Sequence, residues 1–172
     1  MDLYHLRKLV KLCSDERAFV REEIIPKKKM LGRRMLTHLV IADCETIAYY
    51  LKGRVNSDYD EKDDADAIET DYWLASLDDD FVIDEDGGFR VRMKKTRTLP
   101  HLLFVLSYAA KYLKKEFDPK KVEGWEHVKL AFGVRDRITH PKEPEALFIS
   151  DEDLKHVEGL ERWLESCLKI IT

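Results

Sequence analysis

Apolar residues return every three or four positions through most of this chain, and that period limits its fold more than any other feature, because it belongs to α-helices with one buried face. The clearest case lies at the C-terminal end. Ser150-Asp151-Glu152-Asp153 reads as a capping sequence with acids in the first turn, and Leu154, Val157, Leu160, Leu164, Leu168 and Ile171 follow on one face. From Leu3 to about Gly53 the spacing predicts three helices. One runs through Leu6, Leu9, Val10 and Cys13, a second restarts at Ser14-Asp15-Glu16 and is broken by Pro26, and a third carries Leu36, Leu39, Val40, Cys44, Ile47 and Leu51 before Gly53 ends it. Helical spacing resumes after Thr98, with Pro100 early and Leu102 to Leu113 apolar on most sides; this places the helix mid-bundle, ending by Asp118-Pro119. A further helix from about Val122 to His140 is stopped by Pro141, since the residue before a proline is pushed out of the α region.

One stretch departs from the helical period. Residues 57–71 carry eight acids relieved only by Lys62, without the order of a calcium-binding loop, and read as a solvated loop or short helix. Phe81-Val82-Ile83, a turn at Glu85-Asp86-Gly87-Gly88, and Phe89, Val91 and Met93 alternating with Arg90, Arg92 and Lys94 predict a β-hairpin. The expected fold is therefore all-α. It is an antiparallel helical bundle forming a single domain over 1–172, with an acidic loop and small β-hairpin inserted at about 57–97. At 172 residues two full domains are not expected.

Charge is unevenly placed. The chain holds 30 basic and 34 acidic residues, a net −4, which alone argues against a nucleic-acid partner. Residues 57–86 hold fourteen of the acids and one base, so the remaining 142 residues carry 29 basic against 20 acidic groups, or +9. An acidic insertion beside a basic bundle is compatible with RNA as a partner. Cys13, Cys44 and Cys167 lie far apart within helical patterns and read as buried thiols, so neither a disulfide framework nor a metal site is expected. No apolar run approaches the ~20 residues needed to span a bilayer and no signal peptide opens the chain, which predicts a cytoplasmic protein without membrane contact. Trp73, Trp125 and Trp163 fall on apolar stripes and read as core or interface anchors, whereas His127 and His156 lack metal-ligand spacing and read as surface or supporting residues.

One constellation carries chemistry. At ~100° per residue, Trp125, Val128, Ala131, Phe132, Val134 and Ile138 fall on one half of their helix with Arg135 in its middle. A buried guanidinium must meet a carboxylate, helix carbonyls or a polar cleft. Asp136 and His140, four apart, border the same face, so all three can share one cleft, with Asp136 orienting the imidazole at the partly negative end of the helix. A His that exchanges a proton beside an Arg that clamps a phosphate suits metal-free RNA cleavage by attack of the 2′-OH on its own phosphodiester. A second Arg-x-x-x-x-His, Arg33 to His38, continues into Leu39-Val40 inside a helix; it is expected on a basic surface holding RNA with Lys27, Lys28 and Lys29. Arg137, Lys142, Lys94, Lys95 and Arg97 are further candidates for RNA phosphates.

With Trp125 upstream and the capped helix downstream, Arg135-Asp136-Arg137-Ile138-Thr139-His140-Pro141 resembles the signature of the HEPN superfamily, an Arg followed by a polar residue with a His four to six positions later at a helix end. The resemblance covers roughly Trp125–Leu168. It implies a small helical bundle that dimerises to bring two motifs into one cleft, and a metal-independent endoribonuclease of toxin, antiphage or CRISPR-associated systems leaving cyclic-phosphate and 5′-hydroxyl ends. By position Arg135 and His140 would be the catalytic pair and Asp136 the residue that positions them, with no cofactor and with an antitoxin or other regulator as a further partner. Lys142 stands where related toxins often carry a modifiable Tyr, and the insertion at 57–97 is not part of the minimal family bundle. The alternative is a non-catalytic HEPN module that binds a nucleotide, RNA or a partner protein.

Overall fold

The computed structural model describes residues 3–60, 79–83, 89–93 and 97–172. Most of the acidic run, Trp73, the turn at Glu85–Gly88, Lys94 and Lys95 lie outside the described residues. The fold is all-α. Its main helices are α1 (Leu3–Phe19), α2 (Lys29–Asp60), α3 (Thr98–Tyr112), α4 (Trp125–Thr139) and α5 (Asp151–Ile171). Between α2 and α3 the backbones of β1 (Asp79–Ile83) and β2 (Phe89–Met93) pair antiparallel, Phe81 opposite Val91.

Two helices, not three, fill the segment before residue 60. α1 runs through Ser14 without a restart and passes into a single π-turn at Val20–Ile24 before the chain reverses around Pro26. A local capping signal loses here to burial, because Cys13, Arg17 and Val20 all lie inside the bundle. Likewise α2 does not stop at Gly53. Leu51 and Val55, one turn apart, are both fully buried, and the Asn56 side chain accepts a hydrogen bond from Tyr108 of α3 at 2.8 Å. The contacts on either side of the glycine offset its cost of about 1 kcal/mol in a helix interior.

α2 packs against α1, α3, α4 and α5, so it, rather than α3, is the central helix. Its Leu36, Val40, Cys44, Ala48 and Leu51 meet Leu102, Val105 and Leu106 of α3 and Leu160, Trp163 and Cys167 of α5 in one core. α3 ends at Tyr112, earlier than its composition suggests, because Lys114 takes a left-handed conformation with φ 55°. α4 begins three residues late for a matching reason. Gly124 precedes it at φ 91°, and a Cβ there would press within 3.3 Å of the Gly159 carbonyl oxygen and the Trp163 Cβ. The capping box of α5 forms as expected: Ser150 and Asp153 exchange side-chain and backbone hydrogen bonds at 2.9–3.0 Å.

Two ionic ties hold the helices in register. Arg17 of α1, 4% exposed, donates to Asp43 of α2 and, at 2.7 Å, to Glu161 of α5; Arg21 also binds Glu161. Arg33 of α2 was expected on a basic surface but is buried, donating to the Ile149 carbonyl at 2.7 Å and pairing with Asp151 in the first turn of α5. That bond and charge hold the Asp151 carboxyl below the usual range. His38, one turn on, is exposed without it. Cys13, Cys44 and Cys167 are free and buried; burial pushes the Cys13 and Cys167 thiols up to about 12 and the Cys44 thiol higher still, so none is a thiolate near neutral pH. Among the described residues no helix is long and apolar enough to cross a membrane.

Candidate functional site

α4 buries Val128, Ala131, Phe132, Val134 and Ile138 against the core, and this fixes which residues its outer edge presents. Gly133 lies on that edge with nothing within 4 Å of where its Cβ would stand, so the helix wall is open there. Together with the start of α3 and the linker after His140, the edge encloses a cleft of about 1200 Å³. Arg135, Asp136 and His140 all line it, and so do Arg97, Arg137 and Lys142 from the wider set of candidates.

Arg135 falls within the angular span of the buried stripe of α4, as the spacing predicts, yet its side chain is not buried. Its side chain is 30% exposed and donates to Asp136 at 3.0 Å, so the guanidinium meets both a carboxylate and a polar cleft. Asp136 differs from the expected arrangement. Its carboxylate turns to Arg135 and makes no hydrogen bond to the imidazole; its tie to His140 is through the backbone, where the Asp136 carbonyl accepts the His140 N–H at 3.0 Å. His140 caps α4 at φ −124°, ψ 61°, outside the helical region, as the following Pro141 requires. Its ring is exposed in the cleft, with no hydrogen bond or ion pair to any described residue.

Arg137 lines the cleft but its N–H groups are engaged by the linker: they reach the Ala146 carbonyl at 3.0 Å, the Phe148 carbonyl at 2.7 Å and Asp153 at 2.8 Å. It thereby braces the 3₁₀ turn Pro144–Leu147 against α5. Burial raises the Asp153 carboxyl, but the hydrogen bonds from Ser150 and the Arg137 charge outweigh it and hold the group below its ordinary value. Lys142 and Arg97 are exposed in the cleft and pair with no described residue.

Two features escaped the sequence reading. Lys129 lines the cleft, exposed and unpaired among the described residues. The signal was available, since Lys129, Gly133 and Asp136 recur at i, i+4 and i+7 along the open edge of α4. The second is a clasp between α4 and α5, with His127 Nδ1 3.0 Å from His156 Nδ1. Glu126 and Glu152 stand 3.7 and 3.6 Å from the outer ring nitrogens. Gly159 makes room for it, because a Cβ there would lie 2.4 Å from the His127 ring. Twenty-nine residues separate the two rings, and only the crossing of the helices brings them together. Trp125 and Trp163 meet with ring centroids 5.8 Å apart, and Trp163 donates to the Pro119 carbonyl at 2.8 Å, as interior anchors do. Among the described residues no group of three His, Cys, Asp or Glu side chains is placed to hold a metal ion. No protein-family model matches the chain, and no curated protein or solved structure matches it.

Proposed function

We propose that this chain is a HEPN-type endoribonuclease that cleaves RNA without a metal ion. The observation that carries the reading is His140, whose unpaired ring ends α4 in a cleft it shares with Arg135 and with the unpaired cations Arg97, Lys129 and Lys142. In this mechanism the ring of His140 removes the proton of a ribose 2′-OH, which attacks the adjacent phosphorus. The bond to the 5′-oxygen breaks, and the imidazolium returns its proton to that oxygen, leaving a 2′,3′-cyclic phosphate and a 5′-hydroxyl. Arg135 binds the phosphoryl oxygens as charge gathers on them, and Asp136 holds the guanidinium in place from its other side. A second copy of the chain, set against the open side of the cleft, would bring two motifs together. A toxin or defence role, with an antitoxin as partner, belongs to the same reading.

The test is incubation of labelled RNA with the protein in EDTA, with product ends mapped. Wild type should cut, His140→Ala should lose about 10²–10⁴ in rate, and Arg135→Ala should also be inactive. Cleavage by His140→Ala at the wild-type rate would sink the proposal. One observation favours a second reading, a module that binds RNA or a nucleotide without turnover: the carboxylate expected to orient the imidazole lies on Arg135 instead. Binding by folded wild-type protein with no cleavage would select it.

A further inference from the structure

The cleft has more positive charge than one scissile phosphate needs. Of its five Lys and Arg side chains, Arg135 is answered by Asp136 and Arg137 by Asp153, which leaves Arg97, Lys129 and Lys142 with no acid among the described residues. Glu143 and Glu145 follow in the chain but do not line the cleft.

None of the three cations serves the fold. All are exposed, and Arg97 is the N-cap of α3, where a cation meets the positive end of the helix dipole; the Glu45 carboxylate accepts from the Thr98 hydroxyl at 2.8 Å beside it without pairing with the guanidinium. The cations are also spread out. Lys129 and Arg135 are six residues apart, about 9 Å along the helix axis, and Lys142 lies past the other end of α4. Phe132, Leu99 and Pro100 add apolar lining against which unstacked bases can pack. Its volume of about 1200 Å³ exceeds the ~300–1,000 Å³ of a small-ligand pocket, whereas protein modules that read duplex RNA span about 16 base pairs.

We infer that the cleft is a track for several successive phosphates of a single-stranded polynucleotide, with the central phosphate at Arg135, one flank on Lys129 and Arg97, and the other on Lys142. This rests on the proposed placement of the scissile phosphate at Arg135 and His140, and it adds the flanking contacts of this chain's own Arg97, Lys129 and Lys142.

The experiment measures binding of the full-length His140→Ala protein to a fluorescent six-nucleotide 2′-deoxy oligonucleotide by anisotropy at several salt concentrations. Four single-strand phosphate contacts predict a slope of log K against log salt of about −2.8, and Arg97→Ala, Lys129→Ala and Lys142→Ala should each shallow it by about 0.7. A 5′-mononucleotide should fail to compete, and a duplex of equal length should bind more weakly. A slope unchanged in all three variants, a mononucleotide that competes as well as the oligomer, or a duplex that binds as well overturns the track. Oligomer binding with the expected slopes, beside wild-type protein that cuts no RNA, upholds the track and removes the nuclease reading. Metal-free cleavage with unchanged slopes does the reverse.

Discussion

Replacing Arg17 by Met removes the cation at the junction of α1, α2 and α5 while keeping much of the side-chain volume. In the intact protein that guanidinium answers Asp43 and Glu161, whose side chains are only 7% and 13% exposed. Breaking a buried ion pair by deleting one member costs about 3–5 kcal/mol, because the survivor stays buried and uncompensated. Glu161 keeps Arg21 as a partner and Glu165, 3.8 Å from the guanidinium, is 41% exposed to water, so Asp43 alone is left buried without a cation and the loss falls at the lower end, about 3 kcal/mol. Folded domains are stable by about 5–15 kcal/mol, so this is a large share. At this size each kcal/mol moves the melting temperature by about 2–4 °C, which gives a fall of about 6–12 °C. Thermal unfolding followed by far-UV circular dichroism measures it, and urea unfolding gives the free energy. The double variant with Asp43→Asn should recover most of the loss, since it removes the buried charge as well as its partner. A loss below about 1 kcal/mol, or a double variant no more stable than Arg17→Met, would refute the reasoning.

Two further outcomes follow from the packing of α4 on α5. Gly159→Ala should cost about 1–3 kcal/mol by overpacking against His127, although alanine is the better helix former; in a His127→Ala background the same change should be neutral or stabilising, and equal costs in both would count against the contact. Asp153 titrates lower in the folded protein than in the unfolded chain, so the stability it contributes is complete above an ordinary aspartate value of about 3.9 and is lost as pH falls through the lower folded value. Melting temperatures measured across the acid range should show this, and Asp153→Asn should flatten the acid limb; an unchanged limb would mean that the Arg137 and Ser150 contacts do not form.

What was legible in the sequence was what depends on neighbours along the chain. The box at Ser150, the stop at Pro141 and the apolar face of α5 are local signals backed by burial, and each appears where the spacing puts it. Ser14 and Gly53 carry local signals of the same kind that burial of Cys13, Arg17, Leu51 and Val55 overrides, so three expected helices became two. At the site, the spacing of Arg135, Asp136 and His140 correctly placed all three in one cleft. It did not reveal which way the Asp136 carboxylate turns, because the choice between the Arg135 guanidinium and the His140 ring is decided by rotamer and distance. Arg33 and the His127–His156 clasp were out of reach for another reason: their partners lie more than twenty residues away along the chain, and no periodicity encodes which side chains meet across a crossing.

The Arg17–Glu161 tie joins residues 144 positions apart, and this has a consequence for how the protein comes into being. At a synthesis rate of about 5–20 residues per second, Glu161 follows Arg17 from the ribosome after roughly 7–29 s. Once residue 60 has been made, α1 and α2 spend the rest of that interval without the helix that completes their core, and Arg137, when it follows, waits for Asp153 before it can brace the linker beside His140. The cleft thus matures only once α5 has emerged and docked. Whatever the cleft does therefore waits until α5 has been made and has packed on α4.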